Sequence, residues 1–484
     1  MKRAATLLMA LAGAACVHAP PKIDGAAPAP VNPSSLWTPP PVVTRAAAQD
    51  AVHLVPSTTA AKQYTLAEVV DLALRNSPAT RLSYTQARSA ADVYGSSEGR
   101  LYPTLTAGVA LNQTRGLSQP GRPAVDRSAY GPTLSLAYTV LDFGGRSGSI
   151  DVARQTAVAA NLTHNATVEN TILQVEAAAF TYLSTRSQLS AQQLSLDLAT
   201  KALDAANERH RVGLATIADV LQAKTARSQA ELELETLQGQ LLVTRGSLAV
   251  AMGVPANTPF DMPEITAVDS VHFITQSVDT LINLAVQNRP ELATARAQAA
   301  AANSQIRVAR SGYLPAFGFT ATGANNGSNV STFTGNTYSV GIGVQMPVFN
   351  GFSNHYDVAA ANEEYQSALA RSEAAKQEII QQVFTAYYTL RTSTDRVRTS
   401  RDLLASATQS ETVARERYRE GVGTIVDLLV AQAALANARA QEIDARWQWR
   451  SSLAQLAHDV GVLDARGDTT FRTFTPAPDV RPER

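Results

Sequence analysis

Between about Gly145 and Val212 the chain runs without proline, and its apolar residues recur at alternating steps of four and three: Val168, Ile172, Val175, Ala179 and Tyr182. The same spacing returns in Ile380, Val383, Tyr387, Leu390, Val397 and Leu404, inside a second proline-free stretch from about Ser353 to Glu420. That spacing is a coiled-coil seam. It predicts two helices of roughly 67 residues, about 100 Å long at 1.5 Å per residue. Shorter helices are predicted to return from Thr216 to about Met252 and from Thr424 to about Val460. Upstream, Thr65-Leu66-Ala67-Glu68 has the form of a capping box. It opens a short helix ending at Asn76, and Pro78 starts another that runs to about Arg100. Val278 to Asn288 and Pro290 to about Ser311 repeat that pair. The helices starting at Pro78 and Pro290 are expected to stack end to end with the returning helices, so that together they match the length of a rod.

After Pro103 and Pro315 the period falls to two. Leu105, Ala107, Val109 and Leu111 alternate with Thr104, Thr106, Gly108 and Ala110, and Leu134, Leu136, Tyr138 and Val140 with Thr133, Ser135, Ala137 and Thr139. Phe317, Phe319 and Ala321 follow the same rule, and Val340, Ile342, Val344 and Met346 alternate with Ser339, Gly341, Gly343 and Gln345. Two readings fit: strands of a transmembrane barrel with one face to lipid and one to water, or a half-buried sheet on a soluble core. The segments joining them, Gln113 to Ser128 and Asn325 to Asn336, are rich in Gly, Ser, Asn and Pro. Such composition suits long loops outside a membrane. Four strands cannot close a barrel, for which about eight is the smallest workable number. A barrel therefore requires several copies, and three would supply twelve strands.

The two series of elements are one unit written twice. Arg209-His210-Arg211-Val212-Gly213-Leu214-Ala215-Thr216-Ile217-Ala218-Asp219 matches Arg417-Tyr418-Arg419-Glu420-Gly421-Val422-Gly423-Thr424-Ile425-Val426-Asp427, an offset of 427 − 219 = 208. Asn76-Ser77-Pro78 pairs with Asn288-Arg289-Pro290, Leu101-Tyr102-Pro103 with Tyr313-Leu314-Pro315, and Val140-Leu141-Asp142-Phe143 with Val348-Phe349-Asn350-Gly351. The expected organisation is repeat one over 64–265, repeat two over 266–462 and a tail over 463–484.

Charge and composition exclude several classes. Lys plus Arg and Asp plus Glu both number 41, so no basic field exists to hold nucleic acid. No His-x-x-x-His or Glu-x-x-His cluster of metal-ligand spacing occurs, and no phosphate-binding glycine loop. The chain is expected to be no enzyme and to use no cofactor. Residues 1–15 read as an export signal, with Lys2 and Arg3 before an apolar stretch, and 16–63 as a Pro- and Ala-rich tether. The single cysteine, Cys16, ends Leu11-Ala12-Gly13-Ala14-Ala15-Cys16. It admits two readings: a bacterial lipoprotein site in which Cys16 is acylated, with Gly13 where Leu is usual, or ordinary cleavage that discards it.

Asn-x-Pro opening a helix, (Leu/Tyr)-Pro entering the first strand, Val-Phe-Asn-Gly leaving the second and Gly-x-x-Thr-x-x-Asp at the far turn occur here in fixed order, duplicated. From Tyr64 to Val462 the chain resembles the TolC-type outer membrane efflux proteins. The resemblance implies a mainly α fold with a transmembrane β-barrel portion: a homotrimer with an α-barrel across the periplasm and a twelve-stranded β-barrel in outer membrane lipid. It implies a passive outlet for small molecules, served by a periplasmic adaptor protein and an inner-membrane efflux pump. The Pro-rich lead and Cys16 suggest the lipoprotein branch, anchored by palmitate.

Two turns are the candidate functional site. Thr216-x-x-Asp219 and Thr424-x-x-Asp427 have capping-box form, with Gly213 and Gly421 ending the preceding helix. They lie at the helical ends farthest from the strands, and the resemblance makes them the adaptor-docking surface and closing constriction, together with Arg209 and Tyr418. Gly423 and Val430 stand where the type member of the family carries Arg and Asp, so its closing ion-pair network does not transfer. An outlet for type I protein secretion shares this fold, and a soluble periplasmic coiled-coil scaffold is a third reading.

Overall fold

The computed structural model describes residues 62–116, 126–263 and 276–463. The expected signal and nearly all of the expected tether, Cys16 included, and the middle of the first expected loop, Gly121 included, lie outside them. Strand β1 (Lys62–Gln63) leads to helices α1 (Leu66–Asn76) and α2 (Pro78–Gly99), strands β2 (Thr104–Arg115) and β3 (Asp126–Leu141), the rod α3 (Gly145–Arg211) and its return α4 (Ile217–Ala251). Strand β4 (Phe260–Asp261) precedes the second series: α5 (Val278–Asn288), α6 (Pro290–Ser311), β5 (Ala316–Ser328), β6 (Gly335–Gln345), the rod α7 (Ser353–Arg419) and its return α8 (Ile425–Val460).

The helix limits follow from local chemistry. Thr65 accepts from the Glu68 amide while the Glu68 carboxylate takes the Thr65 amide at 2.8 Å, closing the capping box that starts α1. Ser77 caps α2 through its side chain, and Pro78 occupies the first helical position, where a missing amide costs nothing. Each return helix ends at a glycine in the left-handed region, Gly253 (φ 70°) and Gly461 (φ 75°). A Cβ on Gly253 would lie 2.8 Å from the Cβ of Asn76, and one on Gly461 3.1 Å from that of Asn288. The end of each return helix therefore abuts the start of the next short helix. Along one rod the two make a single line of nearly the rod's length. Toward the strands the helices lie side by side as α2–α3–α6–α7, and toward the far tips as α4–α3–α8–α7.

Where the two levels meet lie two apolar cores, one per repeat. The first gathers Val69 and Val70 of α1, Ile172, Val175 and Leu183 of α3, Leu248 of α4, Phe260 and Met262 around β4, and Trp447 of α8. The second gathers Leu281 of α5, Leu292 of α6, Val383, Leu390 and Val397 of α7, and Leu456 and Val460 of α8. Most of the coiled-coil seam residues are buried here. Ile379, and not Ile380, is the core residue one turn above Val383; Ile380 is only half-buried. The short parallel pair β1–β4, absent from the sequence expectation, closes the first core.

The four long strands form one antiparallel sheet in the order β2-β3-β5-β6, with both outer edges unpaired. Tyr138 faces Phe319 where the two repeats join. The strands reach farther than their apolar alternation. Arg115 pairs with Asp126, and Asn325 with Asn336, inside stretches expected to be loop. Polar side chains bond across the ladder there: Asn325 donates to Asn336 at 2.7 Å and Asn326 to Thr337 at 3.0 Å. Backbone pairing needs no apolar residue, so the ladder continues beyond the apolar band. Gly327, inside the second stretch expected to be loop, is in β5 opposite Tyr130. Gly131-Pro132 interrupts the β3–β5 ladder. A Cβ on Gly131 would sit 1.7 Å from the Asn325 carbonyl oxygen, so the strands approach here only because glycine has none. Among the described residues no helix is long and apolar enough to cross a membrane.

Candidate functional site: the helical tips

Each rod stops by the same device. After α3, Gly213 takes a φ of 78°, its amide bonds to the His210 carbonyl at 3.0 Å, and the Leu214 amide bonds to the Arg209 carbonyl at 2.8 Å. After α7, Gly421 takes a φ of 80° and the Val422 amide reaches the Arg417 carbonyl at 3.0 Å. These are left-handed helix caps. The return helices then start on the expected boxes. Thr216 accepts from the Asp219 amide at 3.2 Å and its own amide donates to the Asp219 carboxylate at 2.8 Å; both distances are 3.2 Å in the Thr424 and Asp427 box. The hydroxyl and amide of Thr424 hold the Asp427 carboxyl below the usual carboxylate range, with the hydroxyl contributing most.

Arg209 and Tyr418 bring the two turns together. The Arg209 guanidinium lies 4.5 Å from the centre of the Tyr418 ring. Its Nη2 also reaches the Arg419 carbonyl at 3.4 Å, and a Cβ on Gly421 would be 3.4 Å from that nitrogen. Tyr418 is buried among Ala202 and Ala206 of α3, Ala223 of α4, and Ile425 and Leu428 of α8. Its hydroxyl has no hydrogen-bond partner among the described residues. Burial raises the phenol above its ordinary value, Arg209 opposes that shift and the Asp219 charge adds to it. Arg209, Tyr418 and Gly421 thus form one contact. Thr216 with Asp219 and Thr424 with Asp427 form two separate ones, each carboxylate turned to its own helix start. Gly423 is crowded, since a Cβ there would lie 3.1 Å from the Cβ of Arg417.

Polar groups away from the tips were not singled out by the sequence. Arg289, buried at the start of α6, bonds to Glu291 at 2.8 Å, Gln382 at 3.1 Å and Asp459 at 3.4 Å; His458 connects Asp459 at 2.9 Å to Asn170 of α3 at 3.0 Å. This network joins both repeats. Asp261 accepts from Tyr182 at 2.9 Å and from Arg186 at 2.7 Å, tying β4 to α3. No cluster of three or more His, Cys, Asp or Glu side chains able to hold a metal occurs among the described residues.

One chain thus carries two rods with returning helices, a four-stranded sheet at one end and paired capped turns at the other. The model of the outer membrane efflux protein family matches residues 69–254 and 281–462, most of the chain. The chain belongs to the outer membrane efflux protein family. It is similar to Protein CyaE of Bordetella pertussis, 27% identical over 402 residues covering 82% of this chain and 84% of the relative. To outer membrane protein TolC of Escherichia coli K12 it is 24% identical over 416 residues, 82% of each chain. The fold is that of the crystal structure of outer membrane protein VceC from Vibrio cholerae: the TM-score is 0.74 at 18% identity, covering 82% of this chain and 96% of that one. The protein is an efflux channel of the outer membrane, a duct and not an enzyme, which sets aside the soluble scaffold.

Proposed function

We propose that three copies join through the free edges of β2 and β6 into a twelve-stranded barrel, and that their helices form a tunnel leading to it. Small molecules delivered by an inner-membrane pump through a periplasmic adaptor leave the cell by this route. The observation that carries the reading is the open sheet. All eleven residues of β6 are exposed, with Tyr338, Val340, Ile342 and Val344 on one face and Ser339, Gly341, Gly343 and Gln345 on the other. An unpaired edge in lipid leaves backbone groups without partners, so closure with further copies is required. Orientation follows from chain direction: the Gly213–Asp219 and Gly421–Asp427 turns lie at the opposite end from the sheet and form the inner mouth. There Arg209, Gly213, Thr216, Asp219, Tyr418, Gly421, Thr424 and Asp427 make the adaptor-docking and closing surface. Acylation of Cys16 adds a second anchor to the same membrane. Native mass measurement of detergent-extracted protein tests the assembly, with a trimer that conducts ions in a planar bilayer as the expected result. A stable, water-soluble monomer overturns it.

A further inference from the structure

The duplication lets one seam inside the chain serve as the template for a seam between chains. Rod α3 has a return helix on each side, α4 from its own repeat and α8 from the other. Rod α7 has α8 on one side and, within a single chain, no return helix on the other. Helix α4 correspondingly leaves one face uncovered, with Leu232, Leu242, Val243 and Val250 exposed. In the covered seam Trp447 of α8 packs against Phe180 of α3, ring centres 6.1 Å apart. The helices run antiparallel, and nearer the tip Gln188 and Ala199 of α3 and Leu429 and Ala440 of α8 line a shared cavity.

The repeat offset holds through these elements without insertion: the rods begin at Gly145 and Ser353, and the return helices run between Thr216 and Gly253 and between Thr424 and Gly461. Moving the template by 388 − 180 = 208 and 447 − 239 = 208 places Tyr388 of α7 opposite Gly239 of α4. Tyr388 is 42% exposed in the free chain, and a Cβ added to Gly239 would touch nothing within 4 Å. The large side chain has changed sides: a Trp on the return helix covers a Phe within the chain, while a bare glycine receives a Tyr at the open seam. One turn toward the sheet, the register sets Phe384, 49% exposed and with its ring centre 4.7 Å from that of Tyr388, opposite the exposed Val243. Farther tipward, Val413 and Leu214 lie equally distant from the pair, 413 − 388 = 25 and 239 − 214 = 25, and both are exposed apolar residues. Exposed Arg391 and Glu235, about a turn tipward of Tyr388 and Gly239, add opposite charges.

We infer that α7 of one copy packs on α4 of a second copy in the register that α3 and α8 keep within the chain, with Tyr388 seated over Gly239 of the second copy and Phe384 against its Val243. The inference rests on the trimeric reading and names how its helical protomers meet.

Gly239 is exposed and helical, so Gly239→Trp leaves the folding of a single chain intact while placing a large side chain where Tyr388 of the second copy must sit. The expected result is loss of the trimer by native mass and its recovery in Gly239→Trp with Tyr388→Ala, which restores one large and one small partner. A short bifunctional maleimide bridges facing cysteines on packed helices without requiring the narrow geometry of a disulfide, so it is the probe for Gly239→Cys with Tyr388→Cys. It should link chains to one another, whereas Gln188→Cys with Ala440→Cys links residues within a chain and Ser228→Cys with Tyr388→Cys, three turns out of register, links none. A trimeric wild type whose Gly239→Trp variant stays trimeric, and whose Gly239–Tyr388 cysteine pair does not link chains, overturns this seam and leaves the channel standing. A monomeric wild type removes both.

Discussion

Arg209 at the end of one rod lies over Tyr418 at the end of the other, 4.5 Å from the ring centre, and this contact between residues 209 positions apart in the chain ties the two turns together. A cation over an aromatic face contributes about 0.5–1 kcal/mol at an exposed site. Little else polar spans the two turns, so Arg209→Ala is expected to loosen the tip. Faster amide exchange over 209–221 and 417–429 and a larger single-channel conductance should follow, with Arg209→Lys intermediate. Wild-type exchange and conductance in Arg209→Ala would show that the contact holds nothing closed.

The aspartate caps carry a second prediction. The proposed trimer repeats Asp219 and Asp427 around its inner mouth, and rings of carboxylates favour cations. Asp219→Asn with Asp427→Asn keeps an oxygen acceptor at each box and deletes the charge, so cation preference in planar-bilayer recordings should fall while the trimer persists. The Asp427 carboxyl titrates below its ordinary value in the folded protein. Its contribution to stability is therefore present above the ordinary carboxylate range and is lost as pH falls through the depressed value. Unchanged selectivity in the folded double variant would leave both residues as caps alone.

Glu176 predicts an opposite pH dependence. Its side chain is fully buried in the first core, neither carboxylate oxygen has a hydrogen-bond partner, and burial raises its pKa to about 7. The folded protein binds this proton more tightly than the unfolded chain, so stability falls as pH rises from about 4.5 to 7, by roughly 3 kcal/mol for one such group. Glu176→Gln should melt higher than wild type at pH 8 and no higher at pH 4. Equal differences at both pH values would exclude titration of Glu176 as the cause.

The helical plan was legible because its punctuation is local. Thr65 with Glu68, Thr216 with Asp219, Thr424 with Asp427 and the glycines at 213 and 421 mark helix ends through contacts only a few residues apart. Strand length was not legible, since Asn325 and Asn336 look like loop until their partner is known. The same holds for the contact of Arg209 with Tyr418 and for the bond of His458 to Asn170, 288 residues away. Each joins residues whose local pattern carries no trace of the other.

The connection between β5 and β6 turns at 329–334, so an epitope inserted after Ser331 should be reached by antibody on intact cells. The same insertion at Gly327 should abolish assembly, because a Cβ there already lies 2.5 Å from the Tyr130 ring. Labelling at Ser331 only after the outer membrane is broken would invert the proposed orientation.

Acylation is tested at the N-terminus. Cys16→Ala is expected to abolish incorporation of labelled palmitate and leave the trimer intact, since the proposed twelve-stranded barrel anchors it independently. An unmodified mature N-terminus downstream of Cys16 in the wild type would remove the lipid.

The junction of Tyr138 with Phe319 also sets the order in which the molecule comes into being. The strands on either side of it are 319 − 138 = 181 residues apart in sequence, with an entire rod and its return between them. Pairings so distant are slow to form, because the entropy of closing the loop precedes any gain from the ladder. Repeat one can complete its own helical hairpin early, but β3 has no second neighbour until β5, in the first third of repeat two, has been delivered. The newly exported chain therefore passes through an interval with uncovered strand edges, and protection from proteases and from self-association is needed most in that interval.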